Sequence, residues 1–414
     1  MQETITHKAG SFIYVEGDED IEHIYIIKTG KVEQQSSIKE LKGVQQISGA
    51  GDTIGFISSL ANRPRMVSAK ALTDSTLIKI SKNSFLSLVQ KNPEIGFKML
   101  NFYASQLRHF NNLVLSEKML RQGFYDLKLY SLAKKFFELK QHNNSLYALN
   151  SCISEYPDSE FSAQAIKIKK QIEDKFKISF EKKPCDDMTR EFGPGEIIFC
   201  EYEQGNELYI IKEGKVKIVR HTKDNSEVIL SLLEKDDIFG ELAIISDKPR
   251  NATAISHDKT KLISVNKDSL EVLLHRSPDL IYRIFTSISQ RVWFTIIRLE
   301  SYIYHKPLTR IYTFLENKLL EENVSLKSGE PFTFNFGIDE LLKMIDLKQE
   351  EILEEIETVL KDPSISFNFG QITIEDPREI SAHAKMYKNQ DRIISDKEKK
   401  KISKSLKERI TEIQ

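Results

Sequence analysis

The chain has 414 residues, of which 40% are hydrophobic and 29% are charged, and its 60 Lys and Arg residues nearly balance 61 Asp and Glu residues. This length predicts roughly two to four domains, and the net charge of −1 argues against nucleic acid or a membrane as an obligatory partner of the whole chain. Three scattered cysteines, Cys152, Cys185 and Cys200, argue against a disulfide framework or a zinc site and favour a reducing compartment.

Targeting signals are not evident in the sequence. Residues 1–10 lack the apolar core of a signal peptide. No apolar run approaches the ~18–20 residues that a membrane-spanning helix needs. We therefore expect a cytoplasmic protein that does not enter a membrane.

The first predicted strands recur later in the chain, which indicates a repeat. Residues 25–32 reappear as residues 209–216 with one change, Thr29 to Glu213. Further matches, each 185 residues apart, pair Gly55, Pro64 and Arg65 with Gly240, Pro249 and Arg250. The sequence thus predicts two copies of one domain, over residues 1–120 and 185–304.

Each copy reads as short strands followed by helices. Apolar runs such as 196–199 and 228–232 end at Gly, Asp or Asn turns, which is typical of a closed or jelly-roll antiparallel barrel. Residues 279–304 form a long helix that is apolar on more than one face, so it should pack on a barrel and on another helix. That other helix is either its own copy in a homodimer or residues 92–115 of the same chain.

Residues 121–184, between the copies, are predicted to be helical, with helices at 130–140, 144–155 and 161–174. The pattern from Ala133 to Pro157 resembles a single tetratricopeptide hairpin. The alternative is a plain helical spacer.

The segment 237–253 of the second copy carries the residues best suited to bind a ligand. A short helix beginning at Glu241 would direct its free N–H groups at an anion, and Gly240 allows close approach of the backbone. Arg250 offers a planar cation for two phosphate oxygens, whereas the Glu241 carboxylate suits a sugar hydroxyl. The alternative is a structural ion pair between Glu241 and Arg250.

These residues resemble the phosphate-binding cassette of the cyclic-nucleotide-binding domain family, and the resemblance covers about residues 8–120 and 190–304. It implies that Glu241 binds the ribose 2′-hydroxyl and Arg250 the cyclic phosphate of cAMP or cGMP. By the same resemblance, and by one to Crp–Fnr regulators for the helix position Thr295, the ligand-binding set is Phe239, Gly240, Glu241, Leu242, Ala243, Arg250, Asn251, Ala252, Thr253 and Thr295. No metal is implied, and the motif does not choose between cAMP, cGMP and a cyclic dinucleotide.

The first cassette departs from this pattern. Gly55 and Arg65 remain, but Phe56 replaces the ribose-binding Glu and Met66 replaces Asn251. A phenyl ring accepts no hydrogen bond from a hydroxyl, and the lost partner costs roughly 1–3 kcal/mol in a dry site. We expect a degenerate first site, which either binds another phosphate ligand or serves as a packing partner.

Residues 305–380 read as a small winged-helix domain. The predicted elements are a helix from Pro307 to about Glu322, a strand at 332–336, helices at 338–345 and 348–361, and a hairpin at 364–374. This order resembles the DNA-binding module of the Crp–Fnr family. However, residues 301–380 hold 8 Lys and Arg against 16 Asp and Glu, whereas DNA readers are basic.

The sequence therefore disfavours DNA as a partner of this module and favours a protein. The remaining residues, 381–414, form a basic tail whose densest patch is Lys399, Lys400 and Lys401. We expect a solvated helical or disordered tail, and the alternatives are that it folds back on the acidic module or touches nucleic acid weakly.

The predicted fold is thus a multidomain α+β chain with two barrels, a helical linker and a winged helix. The chain shows no Gly-rich phosphate loop, zinc-protease motif or nucleophile elbow, so we expect a binding protein and not an enzyme. The leading hypothesis is a cyclic nucleotide receptor that signals to its C-terminal module. The alternatives are a DNA-binding transcription regulator and a scaffold with vestigial nucleotide domains.

Overall fold

A computed structural model describes residues 2–36, 46–114, 125–179, 188–221, 227–267, 269–270, 278–304, 306–368 and 370–391. Cys185 and the patch Lys399–Lys401 lie outside these residues. The chain divides into two compact units, Met1–Thr295 and Ile296–Gln414. The first unit holds the first predicted repeat, the linker, and the second repeat as far as Thr295 in its long helix.

The first repeat is a two-sheet antiparallel sandwich followed by helices. Its strands are β1 (Gln2–His7), β2 (Phe12–Tyr14), β3 (His23–Thr29), β4 (Val32–Gln35), β5 (Gln46–Ser48), β6 (Thr53–Ile54), β7 (Ser68–Ala71) and β8 (Ser75–Ser81). Its helices are α1 (Phe56–Ala61), α2 (Lys82–Lys91) and α3 (Pro93–Val114). The strand orders are β1-β8-β3-β6 and β2-β7-β4-β5.

The second repeat has the same topology. Its strands are β9 (Thr189–Phe192), β10 (Ile197–Phe199), β11 (Glu207–Glu213), β12 (Val216–His221), β13 (Glu227–Leu233), β14 (Ile238–Phe239), β15 (Thr253–Ser256) and β16 (Thr260–Asn266). Its helices are α7 (Glu241–Ser246) and α8 (Pro278–Ile303). The strand orders, β9-β16-β11-β14 and β10-β15-β12-β13, match those of the first repeat strand for strand.

The hairpin turns of the two repeats explain a shared glycine. Gly30 and Gly214 adopt φ values of 95° and 83°. A Cβ atom on Gly214 would lie 2.4 Å from the carbonyl oxygen of Lys259, so neither the conformation nor the space admits a side chain. The predicted antiparallel fold of both repeats, including the identical turns, is confirmed.

The linker consists of three packed helices, α4 (Tyr125–Glu138), α5 (His142–Glu155) and α6 (Glu160–Phe176). Apolar residues such as Phe136 and Leu146 are fully buried. The linker also packs on the second repeat, where the buried Tyr147 hydroxyl donates to the carbonyl oxygen of Ile198 at 3.0 Å. A helical linker is confirmed, whereas its likeness to a tetratricopeptide hairpin stays a prediction.

The second unit contains a three-stranded sheet of order β17-β19-β18 and several helices. The elements are α9 (Pro307–Glu321), β17 (Phe332–Phe334), α10 (Ile338–Met344), α11 (Leu353–Leu360), β18 (Ile365–Asn368), β19 (Gln371–Ile374) and α12 (residues 377–391). This is the element order predicted for a winged helix, and the assignment to that fold stays a prediction.

Two details of the second unit differ from the sequence prediction. The helix predicted over residues 348–361 is split, because a 3-10 turn at Gln349–Glu351 precedes α11 and the buried Ile352 has non-helical φ and ψ angles of −137° and 36°. The predicted tail begins inside α12, whose Lys388 pairs with Glu316 of α9 at 3.1 Å. Residues 381–391 therefore belong to the packed module.

No helix among the described residues is long and apolar enough to cross a membrane.

Candidate functional site

The predicted cassette of the second repeat spans the end of β14, α7 and the start of β15. Gly240 precedes α7 with a φ of 81° and offers no capping side chain. A Cβ atom there would lie 2.8 Å from Nη1 of Arg250. Glycine is therefore required both by the backbone conformation and by the closeness of the arginine.

Arg250 is buried under this turn. Its Nη1 donates to the carbonyl oxygen of Gly240 and its Nη2 to that of Glu207, both at 2.7 Å. The guanidinium carbon lies 4.1 Å from the ring centre of Phe199, in cation–π contact. These contacts fix the plane of the guanidinium and hold a full positive charge beneath the first turn of α7.

Glu241 is fully buried, and its partner is a residue that the sequence analysis did not single out. Its Oε1 accepts from Nη1 of Arg291 on α8 at 2.6 Å. The alternative of an ion pair between Glu241 and Arg250 is thus replaced by a pair between Glu241 and Arg291. Helix α8 consequently contacts the carboxylate that is expected to bind the ribose.

A cavity of about 40 Å³ adjoins the cassette. This is well below the ~300–1,000 Å³ of small-molecule pockets, so a ligand of nucleotide size requires the walls to move apart. Eight of the ten predicted ligand residues line it: Phe239, Gly240, Leu242, Ala243, Arg250, Asn251, Ala252 and Thr295. The structure thus brings most of the predicted set together around one space.

The other two predicted residues do not line the cavity. Glu241 lies behind Arg291, which does line it. The Thr253 hydroxyl faces the barrel instead, where it accepts from the backbone N–H of Glu201 at 3.0 Å. Thr253 therefore supports the cassette strand and does not face the space for a ligand.

Three buried polar atoms of the cassette have no hydrogen-bond partner among the described residues: Nε of Arg250, Nδ2 of Asn251 and Oε2 of Glu241. Buried polar atoms are nearly always paired, and unpaired ones mark a place for a missing partner. A cationic donor, an amide donor and a carboxylate acceptor together match a molecule that carries both an anion and a hydroxyl.

The cavity also has walls that the sequence analysis missed. They come from strands of the second barrel, from α3 of the first repeat and from α8: Leu107, Asn111, Phe199, Ile218, Leu230, Ser231 and Arg291. The strand residues belong to no motif, so only the closed barrel reveals them. The predicted pairing of residues 92–115 with the long helix was the one signal that pointed towards α3.

Arg108 of α3 contacts the cassette from outside. Its Nη1 donates to the carbonyl oxygen of Pro249 at 2.9 Å, and its Nη2 to that of Leu242 at 3.0 Å. Burial lowers the pKa of Arg108 to about 10, partly offset by the nearby Glu241. The side chain therefore stays charged at neutral pH.

The first cassette repeats the arginine geometry with a phenyl ring in place of the carboxylate. Arg65 donates to the carbonyl oxygens of Gly55 and His23 at 2.7 and 2.8 Å. Phe56 occupies the position of Glu241 and stacks on Tyr103 with ring centres 4.4 Å apart. The rings of Phe85 and Phe285 meet the edges of this stack.

Comparison with known proteins gives the family of the two repeats. A family model for the cyclic nucleotide-binding domain matches residues 4–92 and 189–277. Both barrels are cyclic nucleotide-binding domains. The predicted recognition of two such domains is confirmed.

Curated relatives share one or both of these domains. A CRP-like cAMP-activated global transcriptional regulator of Mycobacterium tuberculosis is 32% identical over 102 residues, which are 25% of this chain and 46% of that protein. A cGMP-dependent protein kinase of Plasmodium berghei is 20% identical over 276 residues, 67% of this chain and 24% of the kinase. The chain therefore spans less than half of the relatives' length in these two matches.

A transcriptional regulator of the CRP/FNR family from Thermus thermophilus aligns with 48% of this chain and 98% of its own, at 19% identity and a TM-score of 0.37. Among the described residues, no group of three or more His, Cys, Asp or Glu side chains could hold a metal ion. Two cyclic nucleotide-binding domains are what this chain shares with these regulatory proteins.

Proposed function

We propose that this chain is a non-enzymatic cyclic nucleotide receptor of the cytoplasm and that it binds one cAMP or cGMP molecule, in the second domain. The observation that carries this proposal is the set of unpaired buried atoms on Arg250, Asn251 and Glu241 beside the cavity. A cyclic phosphate fused to a ribose supplies the anion and the hydroxyl that these atoms lack.

Each side chain then has a role in binding. Arg250 carries the charge for the cyclic phosphate, aided by backbone N–H groups of Leu242 and Ala243 at the uncapped start of α7. Asn251 donates to the phosphate or the base, and Thr295 lies at the far wall of the cavity, where the base would rest. Neither contact distinguishes adenine from guanine.

The ribose can reach Glu241 only if Arg291 shares or releases that carboxylate, because their ion pair is 2.6 Å long in this structure. Ligand binding therefore has a direct effect on α8. We propose that the resulting shift of α8 is transmitted to the C-terminal module beyond Pro307. Such coupling requires a difference in affinity between two states of ~1–3 kcal/mol.

The proposed output is a contact with a protein. The segment 348–357 exposes Glu350, Glu351, Glu354 and Glu357, together with Leu353. DNA phosphates require cations on such a face, so the acidic face disfavours the transcriptional role of the CRP-like relatives. A face with an exposed leucine among carboxylates suits a basic protein surface.

The test is isothermal titration calorimetry of the full chain with cAMP, cGMP, a cyclic dinucleotide and 5′-AMP. We expect one binding event per chain with cAMP or cGMP, and much weaker binding of 5′-AMP, whose open phosphate does not fit against both Arg250 and the ribose contact. Absence of heat for every cyclic nucleotide would remove the proposal. A duplex-DNA titration at low salt tests the output, and salt-dependent binding would favour the transcription regulator.

A further inference from the structure

The two domains exchange equivalent contacts through their long helices. Arg108 of α3 donates to the carbonyl oxygen of Pro249 at 2.9 Å, and Trp293 of α8 donates through Nε1 to that of Pro64 at 3.0 Å. Arg108 and Trp293 are 185 residues apart in the sequence, and so are Pro64 and Pro249. Each domain thus places a side chain of its long helix on the cassette of the other.

The exchange is unequal in chemistry. The indole of Trp293 has one N–H group and bonds one carbonyl, whereas Arg108 also reaches the carbonyl oxygen of Leu242 at 3.0 Å. Leu242 directly follows Glu241, and Pro249 directly precedes Arg250. Arg108 therefore bridges the two halves of the cassette on either side of the exposed residues Asp247 and Lys248.

From this geometry we infer that Arg108 is a positioning residue, supplied by the first domain, for the ligand site of the second. The inference rests on the proposed function, because it concerns the same site. A cyclic nucleotide must contact Glu241 and Arg250 together, and Arg108 fixes the distance between the segments that carry them. Leu107 and Asn111 of the same helix line the cavity, so one helix both closes and aligns the site.

In this arrangement the first domain supports the ligand site of the second domain and does not itself need to bind a ligand. Its cassette position is filled by Phe56, and its helix α3 serves the other domain. By linkage, a ligand that requires an aligned cassette must in turn stabilise the contact of α3 with it. Ligand binding should therefore slow amide exchange in residues 104–111, although these residues belong to the first domain.

The test compares Arg108→Gln with the matched variant Trp293→Phe in the full chain, using the cyclic nucleotide that wild type binds most tightly. Trp293→Phe removes the donor to Pro64, and Arg108→Gln removes the charge and leaves one amide nitrogen on a shorter side chain in place of the two guanidinium nitrogens that bond Pro249 and Leu242. We expect Arg108→Gln to weaken binding about 10- to 30-fold, as for loss of a charged hydrogen bond. Trp293→Phe, which acts on the first cassette, should change affinity by less than about 3-fold.

Two further measurements separate alignment from general stability. The midpoint temperature of thermal unfolding, measured without ligand, should fall by a similar amount in both variants. Hydrogen exchange should show that the ligand protects the amides of residues 104–111 in wild type and protects them much less in Arg108→Gln. If Arg108→Gln does not fold, Arg108→Lys keeps the charge and one donor, and an intermediate loss of affinity is expected.

Equal affinities of wild type and Arg108→Gln, or an equal loss in both variants, would overturn the inference and leave the proposed function intact. A wild-type chain that binds no cyclic nucleotide would instead remove the proposed function itself.

Discussion

The two cassettes of this chain share a backbone and an arginine and differ in what surrounds them. Arg65 and Arg250 each donate to two equivalent carbonyl oxygens at 2.7–2.8 Å. Nε of each arginine lacks a hydrogen-bond partner among the described residues, but only the second cassette adds unpaired atoms on Glu241 and Asn251 beside a cavity, whereas in the first Phe56 takes the place of Glu241 in a ring stack. The comparison teaches that the arginine holds the fold of this turn in both domains, whereas the residue after the glycine is a stacked phenyl ring in one and a buried carboxylate in the other.

The largest expected effect comes from restoring the family's residue in the first cassette. Phe56→Glu buries a carboxylate among three aromatic rings, so we expect it to lower the free energy of unfolding by about 3–5 kcal/mol and to create no second ligand site. Urea unfolding followed by the fluorescence of Trp293, the single tryptophan, reports on this region because its indole bonds the first cassette at Pro64.

The control is Phe102→Glu on α3, where the phenyl ring is 44% exposed and the cost should be about 0.5 kcal/mol or less. A stable Phe56→Glu chain that binds two nucleotides would show that the first cassette lost only its carboxylate and not its space.

The second prediction compares the effects of Arg250 and Arg65 on ligand affinity. Arg250→Ala should weaken cyclic nucleotide binding by about 100-fold or more, because it removes the charge for the phosphate. Arg65→Ala removes the same two backbone bonds in the first cassette and should leave affinity within about 3-fold. Calorimetry on both variants, with thermal unfolding as a check that each loses similar stability, gives the comparison. A similar loss of affinity from both would mean that the arginines act through the fold.

A third difference concerns β12 of the second domain and its counterpart β4 in the first. Residues of β12 are buried up to His221, whose ring meets Phe136 of the linker edge-on, whereas β4 of the first domain carries half-buried side chains after Val32. Burial lowers the pKa of His221 to about 4, with Glu227 opposing and Lys135 and Lys217 adding to the shift.

Below the ordinary histidine pKa of about 6.5, His221 therefore binds a proton in the unfolded chain but stays neutral in the folded chain. The contribution of neutral His221 to stability is complete above that pH and is lost as the pH falls towards 4. At pH 5 the loss is about 2 kcal/mol. The midpoint of urea unfolding should be lower at pH 5 than at pH 7 in wild type, and this difference should be smaller in His221→Leu. An equal difference between the two pH values in both chains would assign the pH dependence to other groups.

The sequence predicted most of the fold because the repeat itself carries the information. The recurring 25–32 segment, the turn glycines and the Pro–Arg pairs predicted two similar antiparallel domains, and strand order and bulges agree between them. Helix limits were less predictable: α4 begins at Tyr125, before the predicted start, and the helix predicted over 348–361 is split at Ile352. Such limits depend on packing and on the conformation of single residues, which periodicity does not report.

By itself the sequence determined the cassette residues, the loss of the carboxylate at Phe56 and the acidity of the C-terminal module, because these are matters of residue type and spacing. The tertiary structure alone decided that Arg291 holds Glu241, that Thr253 turns away from the cavity, and that Arg108 of the first domain holds the second cassette. The physical reason is that a hydrogen bond or an ion pair needs atoms within about 3 Å. Residues that are 50 to 141 positions apart meet at that distance only once the helices and barrels have packed.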